Sequence, residues 1–115
     1  MEIPVILNKK AIIAFNQSIE DGEIKNESSL DFALSSAKNT VLWTKALAFV
    51  VRAILIDHVF QEGNKRTTAM VMMAEFENHN VNYKPNDVVE IVKKIVLKNI
   101  ISIEKIKGMI ENAIS

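Results

Sequence analysis

Between residues 58 and 66 the chain reads His-Val-Phe-Gln-Glu-Gly-Asn-Lys-Arg, which gathers an imidazole, a carboxylate and two cations around a turn. His58 carries a group able to take a proton from a hydroxyl near neutral pH. Glu62 is a lone carboxylate. Beside a polyphosphate one carboxylate suits magnesium, which keeps most of its coordination for water and phosphate oxygens. Gly63-Asn64 is a turn pair, and Gly63 lets the backbone come close to a ligand. Lys65 and Arg66 then stand where the next helix should start, beside unpaired amide N–H groups and the positive end of the helix dipole. Cations are disfavoured at that end unless an anion is expected, and this local conflict points to phosphate binding. A base, a metal ligand and an anion cradle are the parts that phosphoryl or nucleotidyl transfer requires.

Taken singly, each residue has an ordinary explanation. A lone His is more often a core or half-buried histidine than a base, and Glu62 alone is a solvated acid at a helix end. Lys65-Arg66 alone is exposed charge, Asn64 alone is a helix cap, and Phe60 is core under either reading. Only their combination in one short run favours chemistry. Met70, Met72 and Met73 read as gap-filling core, and His79, between Asn78 and Asn80, as a surface residue. Trp43 and Tyr83 receive no role.

The elements that must hold this run are helical. Three Gly and two Pro among 115 residues leave little punctuation, and strand-type alternation is hard to find. A first helix is expected over residues 9–18 with Ile12, Ile13 and Phe15 on its apolar side. Residues 20–26 read as a loop or short hairpin around Gly22. Ser28-Ser29 opens a helix that presents Leu30, Ala33, Leu34 and Ala37. Residues 41–57 are apolar almost all round, with Lys45 and Arg52 on one stripe, which predicts a helix buried over most of its circumference. A further helix is expected over 67–78 with Ala69, Met70, Met73 and Phe76 inward. Pro85-Asn86-Asp87 stops and restarts the chain, and residues 88–97 follow with Val88, Ile91, Val92 and Ile95 as core. Ser102 caps a last helix whose apolar face is Ile103, Ile106 and Ile110. The expected fold is an all-α bundle of about six helices in one domain, residues 1–115, with the chemical run between two central helices.

Composition narrows the classes of function. Fourteen basic and fourteen acidic residues give a formal charge of zero, so the overall basic excess of a sequence-independent nucleic-acid binder is missing. An apolar content of 49% supports a core and argues against disorder. With no Cys, disulfide staples and thiolate zinc sites are excluded. The longest apolar stretch, residues 46–56, is interrupted by Arg52 and too short to span a bilayer. Met1-Glu2-Ile3-Pro4 lacks the basic start and apolar run of a signal peptide. A cytoplasmic protein with no membrane and no nucleic-acid partner is the expectation.

The run 58–66 resembles the signature of the Fic/Doc family, His-x-Phe-x-(Asp/Glu)-(Gly/Ala)-Asn-(Gly/Lys)-Arg, matching it at His58, Phe60, Glu62, Gly63, Asn64, Lys65 and Arg66. Ser29-Leu30-Asp31-Phe32-Ala33-Leu34 is similar to the family's upstream helix, and Thr67-Thr68-Ala69 continues the run as the Doc branch does. The resemblance covers roughly residues 28 to 114. It implies transfer of part of a nucleoside triphosphate to a hydroxyl of a protein target: AMP in most Fic enzymes, phosphate onto a translation factor in Doc-type toxins. By position, His58 would deprotonate the target, Phe60 would anchor the loop, and Glu62 would hold Mg2+. Gly63, Asn64, Lys65 and Arg66 would bind the nucleotide, ATP or another triphosphate, with Lys65 and Arg66 also assisting catalysis. The Fic form has Gly where this chain has Lys65, and usually a second Arg where it has Ala69. Both features resemble the Doc branch, although Glu62 replaces its commoner Asp.

Family members are often restrained by an inhibitory helix of the form (Ser/Thr)-x-x-x-Glu-(Gly/Asn). Glu62-Gly63, Glu77-Asn78 and Glu111-Asn112 are preceded at that distance by His58, Met73 and Lys107, so none qualifies. Restraint by a separate antitoxin protein is the expectation that follows. The expected function is thus phosphate transfer from ATP to a Ser or Thr of a protein. AMP transfer is the nearest rival, and a non-catalytic antitoxin-binding helical module is the rival from another class.

Overall fold

The computed structural model describes residues 7–115. The Met1-Pro4 segment, on which the expectation of no signal peptide partly rests, lies outside the described residues. Within them the helices are α1 (Lys9–Gln17), α2 (Glu27–Lys38), α3 (Trp43–Ile56), α4 (Asn64–Asn78), α5 (Pro85–Leu97) and α6 (Ile103–Asn112). No strand is present among the described residues, only isolated bridges pairing Ile24 with Phe60 and Tyr83 with Ile114. The all-helical expectation and the number of helices therefore hold.

α3 is the axis of the bundle and packs against α2, α4, α5 and α6. Its apolar circumference explains this: Leu47, Ala48, Val50, Val51 and Ile54 are wholly buried. Burying each large aliphatic side chain contributes about 1.5–3 kcal/mol. The two cations of α3 both reach the start of α6. Lys45 Nζ lies 3.1 Å from Glu104 Oε1, and Arg52 donates to the Ile101 carbonyl at 3.4 Å. They keep their charged heads at the protein rim while their stems cover apolar surface. The helix starts two residues later than expected, because Val41 is fully exposed and contributes nothing to the core.

α4 departs most from its sequence reading. It begins at Asn64, three residues before the expected Thr67, since Gly63 in a left-handed conformation (φ 78°) turns the chain directly into the helix. Its buried face is Thr67, Thr68, Val71, Met72, Glu75 and Phe76. Of the residues expected inward, only Phe76 is fully buried, while Ala69, Met70 and Met73 are half-buried. Polar residues occupy a buried face here because each finds a partner. Thr68 Oγ1 donates to the Asn64 carbonyl at 2.8 Å, and Thr67 Oγ1 accepts from Asn16 at 3.0 Å.

At the far end of α4, His79 is not a plain surface residue. Its ring stacks on Trp43 with centroids 4.1 Å apart and planes at 8°, and Nε2 lies 3.3 Å from Glu75 Oε2. Burial pushes the Glu75 carboxyl up, partly offset by His79. Trp43 also meets Phe76 edge-on, and Tyr83 leans on Phe76 while donating to Glu77 Oε2 at 3.1 Å. Two residues without a sequence-based role thus close this end of the core.

The remaining helices follow their local chemistry. Asn26, rather than Ser28, caps α2 by accepting from the Ser29 amide at 3.3 Å. Pro85 opens α5, where its missing N–H costs nothing. Ser102 caps α6 by accepting from the Lys105 amide at 3.2 Å. Residues 20–26 do not pair with themselves. They run beside the segment 59–61 instead, and this contact shapes the site.

Candidate active site

The loop from Asp57 to Gly63 joins α3 to α4 and is held from three sides. Phe60 is its anchor, fully buried between the helices. The neighbouring segment supplies main-chain bonds: Lys25 and Asn26 amides donate to the Val59 carbonyl at 2.7 and 3.0 Å, and the Gln61 amide donates to the Glu23 carbonyl at 3.1 Å. Asn64 closes the loop from within. Its Oδ1 accepts from the Phe60 amide at 3.0 Å and its Nδ2 donates to the Phe60 carbonyl at 2.8 Å. Both ends of the Asn64 amide are therefore engaged in fixing the bend, a role distinct from gripping phosphate.

The third support comes from α1. Asn16 is 1% exposed. Its Nδ2 donates to the Glu62 carbonyl at 2.9 Å and to Thr67 Oγ1, and its Oδ1 accepts from the Gly22 amide at 2.9 Å. One buried amide thereby ties the loop, the first turn of α4 and the Gly22 turn together. Sequence reasoning did not single out Asn16. The available signal was a polar residue one helical turn after Ile12, on the stripe that faces inward.

His58 is solvent-exposed and sits in the left-handed region with φ 53°. That conformation costs a non-glycine residue roughly 1–2 kcal/mol. Asn80 and Asn99 adopt the same conformation, and like His58 each directly follows the C-cap of a helix, so the left-handed residue is how these helices stop. α3 ends at Ile56, and Val59 and Phe60, the two residues that follow the exposed His58, are both buried. The sharp reversal at His58 turns the imidazole outward while the chain continues inward.

Gly63 is the N-cap of α4 and offers no side-chain cap, and the first turn carries no acidic residue. The first α4 bond outside the helix interior runs from the Thr67 amide to the Gly63 carbonyl at 2.8 Å. Among the described residues, the amides of Asn64, Lys65 and Arg66 donate to no protein acceptor. Lys65 and Arg66 are exposed and make no ion pair among the described residues. This is an anion-ready helix terminus with two free cations. A Cβ on Gly63 would stand 2.8 Å from Glu20 Cγ, 3.2 Å from Asn16 Nδ2 and 3.3 Å from Ile19 Cδ1, so the turn fits glycine alone.

Glu62 is exposed. It lines a cleft of about 320 Å3 with Asn16, Glu20, Asp21, Glu23 and Gln61. Among the described residues no group of three or more His, Cys, Asp or Glu side chains is arranged to hold a metal. Glu62 alone would be the carboxylate available to a magnesium ion that takes most of its ligands from elsewhere.

Of the residues singled out from the sequence, His58, Glu62, Gly63, Lys65 and Arg66 gather around one bend, Phe60 lies beneath it, and Asn64 staples it. No protein-family model matches the chain, and neither do curated proteins or solved structures.

Proposed function

We propose that this chain transfers the terminal phosphate of ATP to a Ser or Thr hydroxyl of a protein target, as its resemblance to Doc-type toxins implies. The observation that carries the reading is the combination at one bend of an exposed His58 and the uncapped N-terminus of α4 with Lys65 and Arg66. Phosphates would lie against the free amides of Asn64, Lys65 and Arg66, where their charge meets the helix dipole and two cations. Lys65 and Arg66 neutralise charge on the transferred group. Asn64 acts through the shape of the loop. Glu62 would be the residue to hold a magnesium ion, which would supply neutralisation of phosphate charge.

In the step itself, the target hydroxyl oxygen attacks the γ-phosphorus and a new O–P bond forms. The bond from that phosphorus to the β–γ bridging oxygen breaks, and ADP leaves with the electron pair. The hydroxyl proton passes to His58, whose ring is open to solvent and so able to face an acceptor. The loop fixed by Phe60, Asn64 and Asn16 supplies position, which carries much of the rate in this chemistry.

Mass spectrometry of a protein target incubated with the chain, ATP and Mg2+ tests the reading. A gain of one phosphate is expected, and detection of an AMP adduct alone would defeat phosphate transfer. Expression in cells provides the second arm. Growth arrest that disappears in His58→Ala is expected of an enzyme, whereas undiminished arrest in that variant would favour a non-catalytic module that binds an antitoxin or another protein.

A further inference from the structure

A groove of about 690 Å3 runs between α5 and α6, with Met109 and Ala113 on its α6 wall. Its α5 wall is one stripe. Asp87, Ile91, Lys94 and Lys98 recur at helical spacing, flanked by Glu90 and Leu97. Val88, Val92 and Ile95 are buried and belong to the opposite, core-facing side. The stripe is acidic in its first half and basic in its second. Asp87, Lys94 and Lys98 make no ion pair among the described residues. Glu90 has only Lys93 at 3.8 Å, an exposed contact of little worth. The helix dipole accounts for this order of charges. It does not account for Leu97, which is 84% exposed at the basic end. With the half-buried Ile91 and Met109, Leu97 makes an apolar line along the groove between the charges.

We propose that this groove is the interface of a homodimer, in which α5 of a second copy lies antiparallel along it across a two-fold axis. The order of charges selects that occupant. Reversing the direction of an identical stripe sets Asp87 and Glu90 of one copy against Lys98 and Lys94 of the other. Symmetry then repeats both pairs. Asp87 with Lys98 and Glu90 with Lys94 are centred on the same turn of α5, around Val92, so a single axis serves all four contacts. A two-fold interface must be self-complementary, and this stripe is. A parallel copy would instead set carboxylate on carboxylate and ammonium on ammonium.

In this arrangement Leu97 of each copy reaches the acidic half of its partner's groove, walled by Ile91, Met109 and Ala113. Burying that apolar line supplies the affinity, while the exposed charge pairs fix direction and register. A seam built on one helix pair belongs with small interfaces, below about 1,200 Å2 in total, so a dissociation constant on the order of micromolar is expected. The proposal is independent of the phosphotransferase reading, because none of these residues belongs to the loop 57–63 or to the start of α4.

Sedimentation velocity of the whole chain, from about 1 µM to about 1 mM, is expected to show monomer passing to dimer. Leu97→Gln, at a position open to solvent, should weaken association by at least about tenfold and leave the circular dichroism unchanged. Charge reversal reads the direction. A chain with Asp87→Lys and Glu90→Lys has cations at all four positions, and one with Lys94→Glu and Lys98→Glu has carboxylates at all four. Each should stay monomeric alone, and the two mixed should form a heterodimer. An unmodified chain that stays monomeric throughout the range would overturn the proposal and leave the groove to a different protein or to none. Dimerisation indifferent to Leu97→Gln, or charge-reversed chains that fail to pair, would overturn it equally. Should a charge-reversed chain fail to fold, the unmodified chain and Leu97→Gln decide the matter by themselves.

Discussion

Asn16 on α1 donates from Nδ2 to the main-chain carbonyl of Glu62, 2.9 Å away and 46 positions later in the chain. The bond makes α1 a structural support of the candidate site, whose other residues lie in the loop 57–63 and at the start of α4. Because the same amide also holds Thr67 and Gly22, its three bonds form one network in a buried setting. Removing one member leaves the others without partners, the situation in which buried polar groups cost most.

Asn16→Leu is therefore expected to destabilise the fold by about 2–3 kcal/mol, since it orphans the Glu62 carbonyl and the Gly22 amide. Urea denaturation measures this. Phosphotransfer should fall beyond the loss of folded protein, because the loop is no longer tied to α1. A variant with unaltered midpoint and full activity would show that the network is dispensable.

His58 pays for its outward-facing ring with a left-handed backbone. His58→Gly and His58→Ala should both lack transferase activity. They should differ in stability, with Gly above Ala by about 1 kcal/mol, because glycine alone adopts φ 53° without a Cβ penalty. Equal unfolding midpoints for the two would mean that the strain at this position is not present in solution.

Gly63→Ala introduces a Cβ against Asn16 Nδ2 and Glu20 Cγ at a positive φ. A loss of about 1–3 kcal/mol is expected, combining backbone strain with displacement of a fixed amide. Since that amide is the one Asn16→Leu removes, the double variant should lose less than the sum of the two. Strict additivity in a double-mutant cycle would separate the turn from the network.

Glu75 is 3% exposed and faces His79, with its carboxyl pushed above its ordinary value of 4.5 by burial. A raised carboxyl means that the folded chain holds this proton more tightly than the unfolded chain does. Its contribution is thus fullest below pH 4.5 and is lost as pH rises through the folded value. Thermal melts across acidic to neutral pH should show the unmodified chain losing stability relative to Glu75→Gln as pH increases. A difference that stays constant, or grows in favour of the unmodified chain, would contradict the assignment.

The sequence by itself determined the helices and placed the run 58–66 between two of them. α3, α5 and α6 were legible because one face of each is continuously apolar, and a helix of that kind has few places to go. The run 58–66 was legible because its residues are local: the imidazole, the carboxylate, the glycine and the cations are neighbours in the chain. What only the tertiary structure decided depends on residues far apart. Asn16 reaches Glu62 because α1 packs on α4. Thr67 and Thr68 are buried because partners meet them, whereas composition alone put Ala69, Met70 and Met73 inside. The stack of Trp43 on His79 joins the start of α3 to the end of α4. Hydrophobic periodicity reports the face an element buries, but a hydrogen bond or ring contact between distant segments leaves no period in the sequence. It exists only once the helices are packed.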